Sequence, residues 1–482
     1  MSTTIPVTVA YGDGIGPEIM DAVIYILKEA KAPIQIETIE IGEKLYKKNY
    51  SSGIAEDTWE SLKRTKILLK APITTPLGGG YKSLNVTLRK ALGLFSNVRP
   101  SISYHPFVST QHPKMDIVIV RENEEDIYAG IEYRQTHNMY ESIKLISRLG
   151  SEKIIRYAFE YAVKNNRKTV SCFSKDNIMK FSDGIFHKVF DEISKEYPQI
   201  KSNHYIIDIG TAKLAKSPDL FDVIVTSNLY GDIISDVTAE ISGSVGLAGS
   251  SNIGEEYAMF EAVHGSAPDI SGQNIANPSG LLNAAIMMLV HVGLGSYAAK
   301  IENAWKKTIE DGVHTADIYN EKISSKKVGT REFAEEVVKR FGEKPSTLKS
   351  VEYPDIVREA AAKTNYVIKS DEKKTLVGVD VFIQLNCNSA HAVADKVLKA
   401  DTGNFELKTI ASKGLMLWPR KEESKFLSDH WCLRYMPQSG SMNHDDIANI
   451  LSSLAKLGVD FIKTENLYDF DGVRGYSLAQ GE

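Results

Sequence analysis

The chain has 482 residues, 43% hydrophobic and 25% charged, a composition that fits a soluble globular protein of two or three domains. A net charge of -5 and a pI near 6.2 leave no basic footprint for a nucleic-acid partner. Its three cysteines, Cys172, Cys387 and Cys432, are far apart and form no CxxC pair, which excludes a disulfide framework or zinc knuckle and fits a reducing compartment.

Met-Ser-Thr-Thr-Ile-Pro at the start lacks a basic n-region and an apolar h-region, so no signal peptide is expected. Short β-rich apolar runs follow at Val7–Tyr11, Ile67–Lys70, Ile117–Val120, Val170–Phe173 and Val223–Thr226, and most close on a polar residue. Pro17–Ala30 has Pro at a first helical position, with Ile19, Met20, Val23, Ile24 and Leu27 at helical spacing. This alternation predicts an α/β fold, in which ligands gather at the carboxyl ends of the strands. Leu281 to Val290 is too short to span a bilayer, so no membrane partner and a cytoplasmic location are expected. Gly342 to Lys374 is rich in Lys, Glu, Pro and Ser and predicts a linker with one helix near Ile356–Lys363. Thr375–Leu385, Ala390–Ala400, Phe405–Leu417, Trp431–Met436, His444–Leu457 and Phe461–Glu465 then give a β-α-β-β-α-β order, that of a small α+β ferredoxin-like module.

Several residues at strand ends carry chemistry. Gly12-Asp13-Gly14-Ile15-Gly16-Pro17-Glu18 follows a strand and opens a helix, but it has neither Rossmann nor P-loop spacing, and a tight turn accounts for it. Ser83, Asn85, Arg89, Arg99 and Arg121 are polar groups close in sequence; guanidinium groups pair bidentately with carboxylates, so three arginines suit a substrate with several carboxylates. Each arginine alone reads better as a solvated surface residue, and it is the three together beside strand ends that favour a binding role. Asp232 and Asp236, four apart, share a helix face, and with Asp208 they offer the hard oxygens that Mg²⁺ or Mn²⁺ takes; the pair alone reads equally well as an acidic solvated face. Tyr128 and Lys175 are candidates for proton transfer, or else a packed tyrosine and a surface lysine.

GDGIGPE, SLNVTLRK, RENEEDIYAG, NLYGDIISD and HGSAPDISGQNIANP together resemble the isocitrate and isopropylmalate dehydrogenase family of β-decarboxylating dehydrogenases, over roughly Ile5 to Gly342. The resemblance implies a two-lobed fold that is not Rossmann: a large lobe from residues 1–98 and 257–342, a small lobe with a dimer clasp from 99–256, a linker at 343–374 and the module at 375–482. It implies that Ser83, Asn85, Arg89, Arg99 and Arg121 hold substrate carboxylates, that Asp232 and Asp236 bind metal with Asp208 of a second copy, and that Tyr128 and the second copy's Lys175 handle protons. A site shared in this way needs a homodimer or a higher homo-oligomer. Lys70, Thr74 and Thr75 are implied to lie near the nicotinamide, and Glu261, His264, Gly265 and Asn277 along the dinucleotide.

The implied reaction oxidises a 2-hydroxy acid and then decarboxylates it, with the metal as Lewis acid. Ser83 and Asn85 suit the extra carboxylate of isocitrate, since an apolar face would leave it desolvated and unpaired. Isocitrate giving 2-oxoglutarate is therefore expected, ahead of homoisocitrate, isopropylmalate or tartrate. Asp269-Ile270 stands where NADP-using relatives of one bacterial type carry Lys-Tyr, and an aspartate repels a 2′-phosphate. NAD is accordingly expected, with NADP as the alternative should Lys322, Lys326 and Lys327 compensate. A non-catalytic regulatory subunit is the competing class, weakened by the presence of every expected acid and proton-transfer residue. The tail resembles the C-terminal extension of some bacterial isocitrate dehydrogenases and is expected to serve assembly, or else regulation.

Overall fold

The computed structural model describes residues 4–47, 53–75, 83–357, 371–420 and 427–482. The helix expected near Ile356–Lys363 lies, from residue 358 onward, outside them. The chain divides into two compact units, one of Met1–Ala129 and Lys144–Asn365, the other of Gly130–Ile143 and Tyr366–Glu482.

The first unit opens with β1 (Ile5–Ala10), α1 (Gly16–Glu29), β2 (Ile34–Ile39), α2 (Glu43–Lys47), α3 (Glu56–Thr65), β3 (Ile67–Lys70), α4 (Leu84–Ala91), β4 (Ser96–Ile102) and β5 (Asp116–Glu122). After β6 (Glu132–Arg134) and β7 (Tyr140–Ser142), which belong to the second unit, come α5 (Arg148–Lys164), β8 (Thr169–Ser174), α6 (Ser182–Ser194), β9 (Lys201–Ile206), α7 (Ile207–Lys216), β10 (Val223–Thr226) and α8 (Asn228–Ile241). The unit closes with β11 (Gly249–Ile253), β12 (Ala258–Ala262), α9 (Ser279–His291), α10 (Gly295–Glu310), the short pair β13 (Val313–His314) and β14 (Lys326–Lys327), and α11 (Thr330–Lys339).

Among the described residues, ten strands form one mixed sheet in the order β2-β1-β3-β12-β11-β4-β5-β10-β8-β9. Helices cover both faces. One core at the first half joins α1, α9, α10 and α11, and α3 and α4 close its other side. At the second half, α5 and α6 cover one face, while α7 and α8 cover the other. This is the two-lobed arrangement, and strands buried on both faces explain why β3 and β10 read as unbroken apolar runs. The antiparallel stretch β11-β4-β5 joins the lobes. Pro100 is tolerated in β4 because β11 pairs only with Ser96–Val98, so beyond that point the strand has one neighbour.

In the second unit, β15 (Lys374–Gln384), α12 (Ala390–Val397), β16 (Phe405–Ser412), β17 (Leu415–Trp418), β18 (His430–Pro437), α13 (His444–Lys456), β19 (Asp460–Phe470) and β20 (Val473–Arg474) form an α+β module with sheet order β17-β16-β18-β15-β19-β20. The expected single strand Phe405–Leu417 is in fact a hairpin. Lys413 and Gly414 both take positive φ, 49° and 76°, the two-residue turn whose twist matches antiparallel strands. The hairpin β6-β7 is tied to this module by Thr136, whose hydroxyl donates to Asp429 Oδ1 at 2.7 Å, and by an ion pair between Glu141 and Lys463. No helix among the described residues is long and apolar enough to cross a membrane.

Candidate active site

Three arginines from three elements converge at the junction of the lobes. Arg121, at the carboxyl end of β5, is 1% exposed. Its Nε donates to the carbonyl and side-chain oxygens of Asn228 at 3.0 and 3.1 Å, its Nη2 to Asn228 Oδ1 at 2.8 Å, and its Nη1 to Asp232 Oδ1. A Cβ on Gly231 would sit 2.5 Å from Arg121 Cγ, so the glycine of Asn-Leu-Tyr-Gly-Asp is what lets α8 close over this side chain. Arg99, on β4, donates through Nε to Asn97 Oδ1 at 2.6 Å and through Nη1 to Ser235 Oγ at 2.8 Å. The same Nη1 lies 3.4 Å from Asp232 Oδ1 and from Asp236 Oδ1. Arg89, on α4, meets Glu261 Oε1 at 3.0 Å, and Lys70, at the end of β3, meets Glu261 Oε2 at 2.7 Å.

Electrostatics show what this cluster lacks. Burial and the neighbouring arginines push the Arg99 and Arg121 guanidinium groups down, while Asp232 opposes the shift. Glu261 is buried too, yet Lys70 and Arg89 hold its carboxyl well below the usual carboxylate range. Burial and the nearby Asp232 charge raise Asp236. Arg89 Nε and Asn85 Oδ1 are buried with no hydrogen-bond partner among the described residues. Such buried, unsatisfied groups are costly unless a ligand meets them.

Tyr128 donates its hydroxyl to Asp232 Oδ2 at 2.5 Å, and its ring lies 5.0 Å from the Arg121 guanidinium carbon. Burial, then the Asp232 charge, pushes the phenol up to about 12, so it stays protonated at neutral pH. Asp232 and Asp236, one helical turn apart on α8, present carboxylate oxygens that fit a hard divalent cation, and the raised Asp236 is what such a cation would relieve. Asp208 does not join them within one chain. It begins α7, is exposed, and accepts from Lys175 Nζ at 2.7 Å. Among the described residues no hydrogen bond or ion pair links Lys175 to the arginine cluster.

The expected dinucleotide residues lie on two loops held together by the glycine motif. A Cβ on Gly14 would approach Ser266 O to 2.0 Å, and one on Gly12 would approach Pro72 O to 2.1 Å. Asp13 Oδ2 accepts from the Thr74 backbone N–H at 3.0 Å, and Thr74 Oγ1 lies 2.9 Å from Ser266 Oγ. Thr75 donates to Ser83 Oγ at 3.3 Å, placing the loop beside α4. His264 Nδ1 lies 3.0 Å from Gly265 O, its Nε2 is buried without a partner among the described residues, and burial lowers its pKa. Gly265 has open space at its Cβ position. Asp269 and Ile270 form a 3-10 turn with Asp269 exposed. Asn277 is engaged internally, donating to Asp317 at 3.0 Å and accepting from the Ser279 N–H at 2.9 Å.

Residues 6–337 match the isocitrate/isopropylmalate dehydrogenase family, and residues 374–482 match the C-terminal domain of bacterial isocitrate dehydrogenase. The chain belongs to the isocitrate/isopropylmalate dehydrogenase family. It is 70% identical over 483 residues, covering 100% of both chains, to the "Isocitrate dehydrogenase [NADP]" of Rickettsia bellii (strain RML369-C). It is 39% identical to the protein of the same name from Thermus thermophilus, covering 99% of this chain and 96% of the relative. The crystal structure of the TT0538 protein from Thermus thermophilus superposes with a TM-score of 0.93 at 38% identity, over 99% of this chain and 96% of that one. As a member of this family the chain is an oxidoreductase of two-lobed α/β fold. Asn97, Asn228 and Ser235 orient its arginines, and their only sequence signal is their position beside Arg99 and Asp232.

Proposed function

We propose that the chain is an NADP-dependent isocitrate dehydrogenase, oxidising isocitrate and releasing CO₂ to give 2-oxoglutarate. Charge balance carries this reading. Lys70, Arg89, Arg99 and Arg121 face Glu261, Asp232 and Asp236, which leaves one net positive charge. A divalent cation on the aspartates raises it to three, matching three carboxylates rather than two. The unsatisfied Arg89 Nε offers an N–H donor to the third carboxylate.

Arg89, Arg99 and Arg121 bind and orient the carboxylates. Tyr128, neutral and hydrogen-bonded to Asp232, donates a proton to the carbon that loses CO₂. Lys175 takes the hydroxyl proton from across a two-fold axis, in a homodimer whose Asp208 joins the aspartates of the other copy. Exposed apolar residues beside these groups, Ile178, Phe181, Ile209 and Ile233, support such an interface. Asp232 and Asp236 would hold a Mg²⁺ or Mn²⁺ ion, which would supply Lewis-acid polarisation, and the bound dinucleotide would supply the hydride-accepting group.

NADP replaces the NAD expected from Asp269 because relatives from Rickettsia and Thermus carry NADP in their names. Asp269 is exposed, and Lys327, also exposed and lying over the Tyr319 ring at 5.5 Å, offers a cation to a 2′-phosphate. The test is kcat/KM of the purified chain with isocitrate and with 3-isopropylmalate, in Mg²⁺ or Mn²⁺, with each dinucleotide. Isocitrate with NADP should be fastest. Turnover confined to 3-isopropylmalate would overturn the substrate, and a preference for NAD would overturn the dinucleotide.

A further inference from the structure

Away from the arginine cluster, Asp176, His187 and His204 each present a ligand atom within 4.8 Å of the other two. They come from three elements: the turn after β8, helix α6 and strand β9. His187 Nδ1 lies 2.6 Å from Asp176 Oδ2. His204 Nε2 lies 2.8 Å from Ser174 Oγ and 3.8 Å from Asp176 Oδ1. That second carboxylate oxygen is buried and has no hydrogen-bond partner among the described residues. Behind the cluster, His187 Nε2 is 3.7 Å from Asp191 Oδ2, one turn further along α6.

We propose that Asp176, His187 and His204 form a second metal site, for a borderline-soft transition ion such as Zn²⁺. Two imidazoles and one carboxylate suit Zn²⁺ well and Mg²⁺ poorly, since Mg²⁺ prefers oxygen ligands and retained water. The unused Asp176 oxygen supplies the carboxylate ligand. Asp191 stands where a carboxylate supports the remote nitrogen of a ligating histidine. The Ser174 hydroxyl, 2.8 Å from His204 Nε2, or a water would complete the coordination. The two rings stack at 3.5 Å between centroids and 15° between planes. Stacked imidazoles direct their lone pairs side by side, so loading the ion requires one ring to tilt. Lys175 lies between Ser174 and Asp176, so occupancy would fix the backbone that carries it.

The test uses the full chain, stripped with chelator, equilibrated with Zn²⁺ under saturating Mg²⁺, desalted and analysed by atomic absorption. Wild type and Asp236→Asn should each retain about one zinc per chain. The double variant His187→Asn/His204→Gln keeps amides facing Asp176 and Ser174 but should retain none. With Co²⁺ in place of Zn²⁺, the visible absorption of a tetrahedral nitrogen-oxygen site should appear in wild type and vanish in the double variant. If that variant folds poorly, Asp176→Asn must show the same loss. Wild type without zinc, zinc kept by the double variant, or zinc lost only in Asp236→Asn each overturns the proposal.

Discussion

Arg89 donates to Glu261 across 3.0 Å although 172 positions separate them in the chain. Lys70 shares the same carboxylate, and all three side chains are nearly inaccessible. Removing the anion would strand two buried cations beside Arg99 and Arg121. Glu261→Gln should therefore cost about 3–5 kcal/mol of stability, read as a fall in the urea midpoint. Its pH dependence follows from the lowered carboxyl. The stabilising contribution is complete above the ordinary glutamate range, near 4.5, and is lost as pH falls toward the depressed folded value. In the variant, the acid limb of the stability curve should flatten.

Tyr128→Phe removes one hydroxyl and leaves the ring against Arg121. Because Arg99 and Arg121 still hold Asp232, the carboxylate cradle survives and KM for isocitrate should change little. Loss of the proton donor should lower kcat by about 10²–10⁴-fold. Burial and the Asp232 charge push the wild-type phenol up to about 12, so no limb of the pH–rate profile below pH 10 should disappear in the variant. A larger effect on KM than on kcat would instead assign Tyr128 to binding.

Strands and helices were legible where burial imposed a clear period, as in α1, β3, β10 and, apart from the β16–β17 hairpin, the second unit. They were not legible in β4 and β11, whose polar residues mimic loop composition. These residues are inside because they satisfy one another: Asn97 of β4 donates to the Ser251 carbonyl of β11 at 3.3 Å, and Asn252 of β11 donates to Glu261 at 2.9 Å. The arginines were readable by charge and position, although each alone read better as a surface residue until three elements brought them together. Glu261 was expected beside the dinucleotide and is found as the counter-ion of Lys70 and Arg89, a long-range pairing that local spacing does not encode. The glycine motif read as a plain turn, but the backbone contacts at Gly12 and Gly14 also make it the clamp between the loops carrying Thr74 and Ser266.

Among the described residues Lys175 pairs with Asp208 of its own chain and not with Asp232 or Asp236. If each site draws Lys175 from the second copy, Lys175→Met and Asp236→Asn should each be inactive alone. Co-expressed with different affinity tags, they should yield a hybrid dimer with one site intact. Activity returning in the doubly purified hybrid, and absent from each parent, would establish the sharing. An inactive hybrid of normal size would place both residues in one chain's site.

Lys327 is the exposed cation adjoining Tyr319 and the His314 strand. A charge-assisted contact to a 2′-phosphate is worth about 1.5–3 kcal/mol, so Lys327→Ala should raise KM for NADP roughly 10–100-fold and leave NAD nearly untouched. Lys326 is already paired with Glu336 at 3.1 Å, so its alanine variant should move neither constant appreciably. Equal losses with both dinucleotides would show that Lys327 acts on fold or general affinity.

Glu122 is buried immediately after Arg121, accepting backbone N–H bonds from Glu124 and Glu125, the latter at 3.0 Å. Burial pushes its carboxyl up to about 7, ahead of the backbone hydrogen bonds that pull it down and the Glu125 charge that adds to the rise. A carboxyl raised on folding binds its proton more tightly in the native state. Its favourable contribution is complete below about 4.5 and is lost as pH climbs through 7. Glu122→Gln keeps an oxygen for the two N–H groups and removes the buried charge. The variant should match wild type near pH 4.5 and exceed it at pH 8 by roughly 2–3 kcal/mol in urea unfolding. A wild-type advantage that grew with pH would mean that the carboxylate is stabilised in the fold, with its negative charge serving Arg121 and its neighbours.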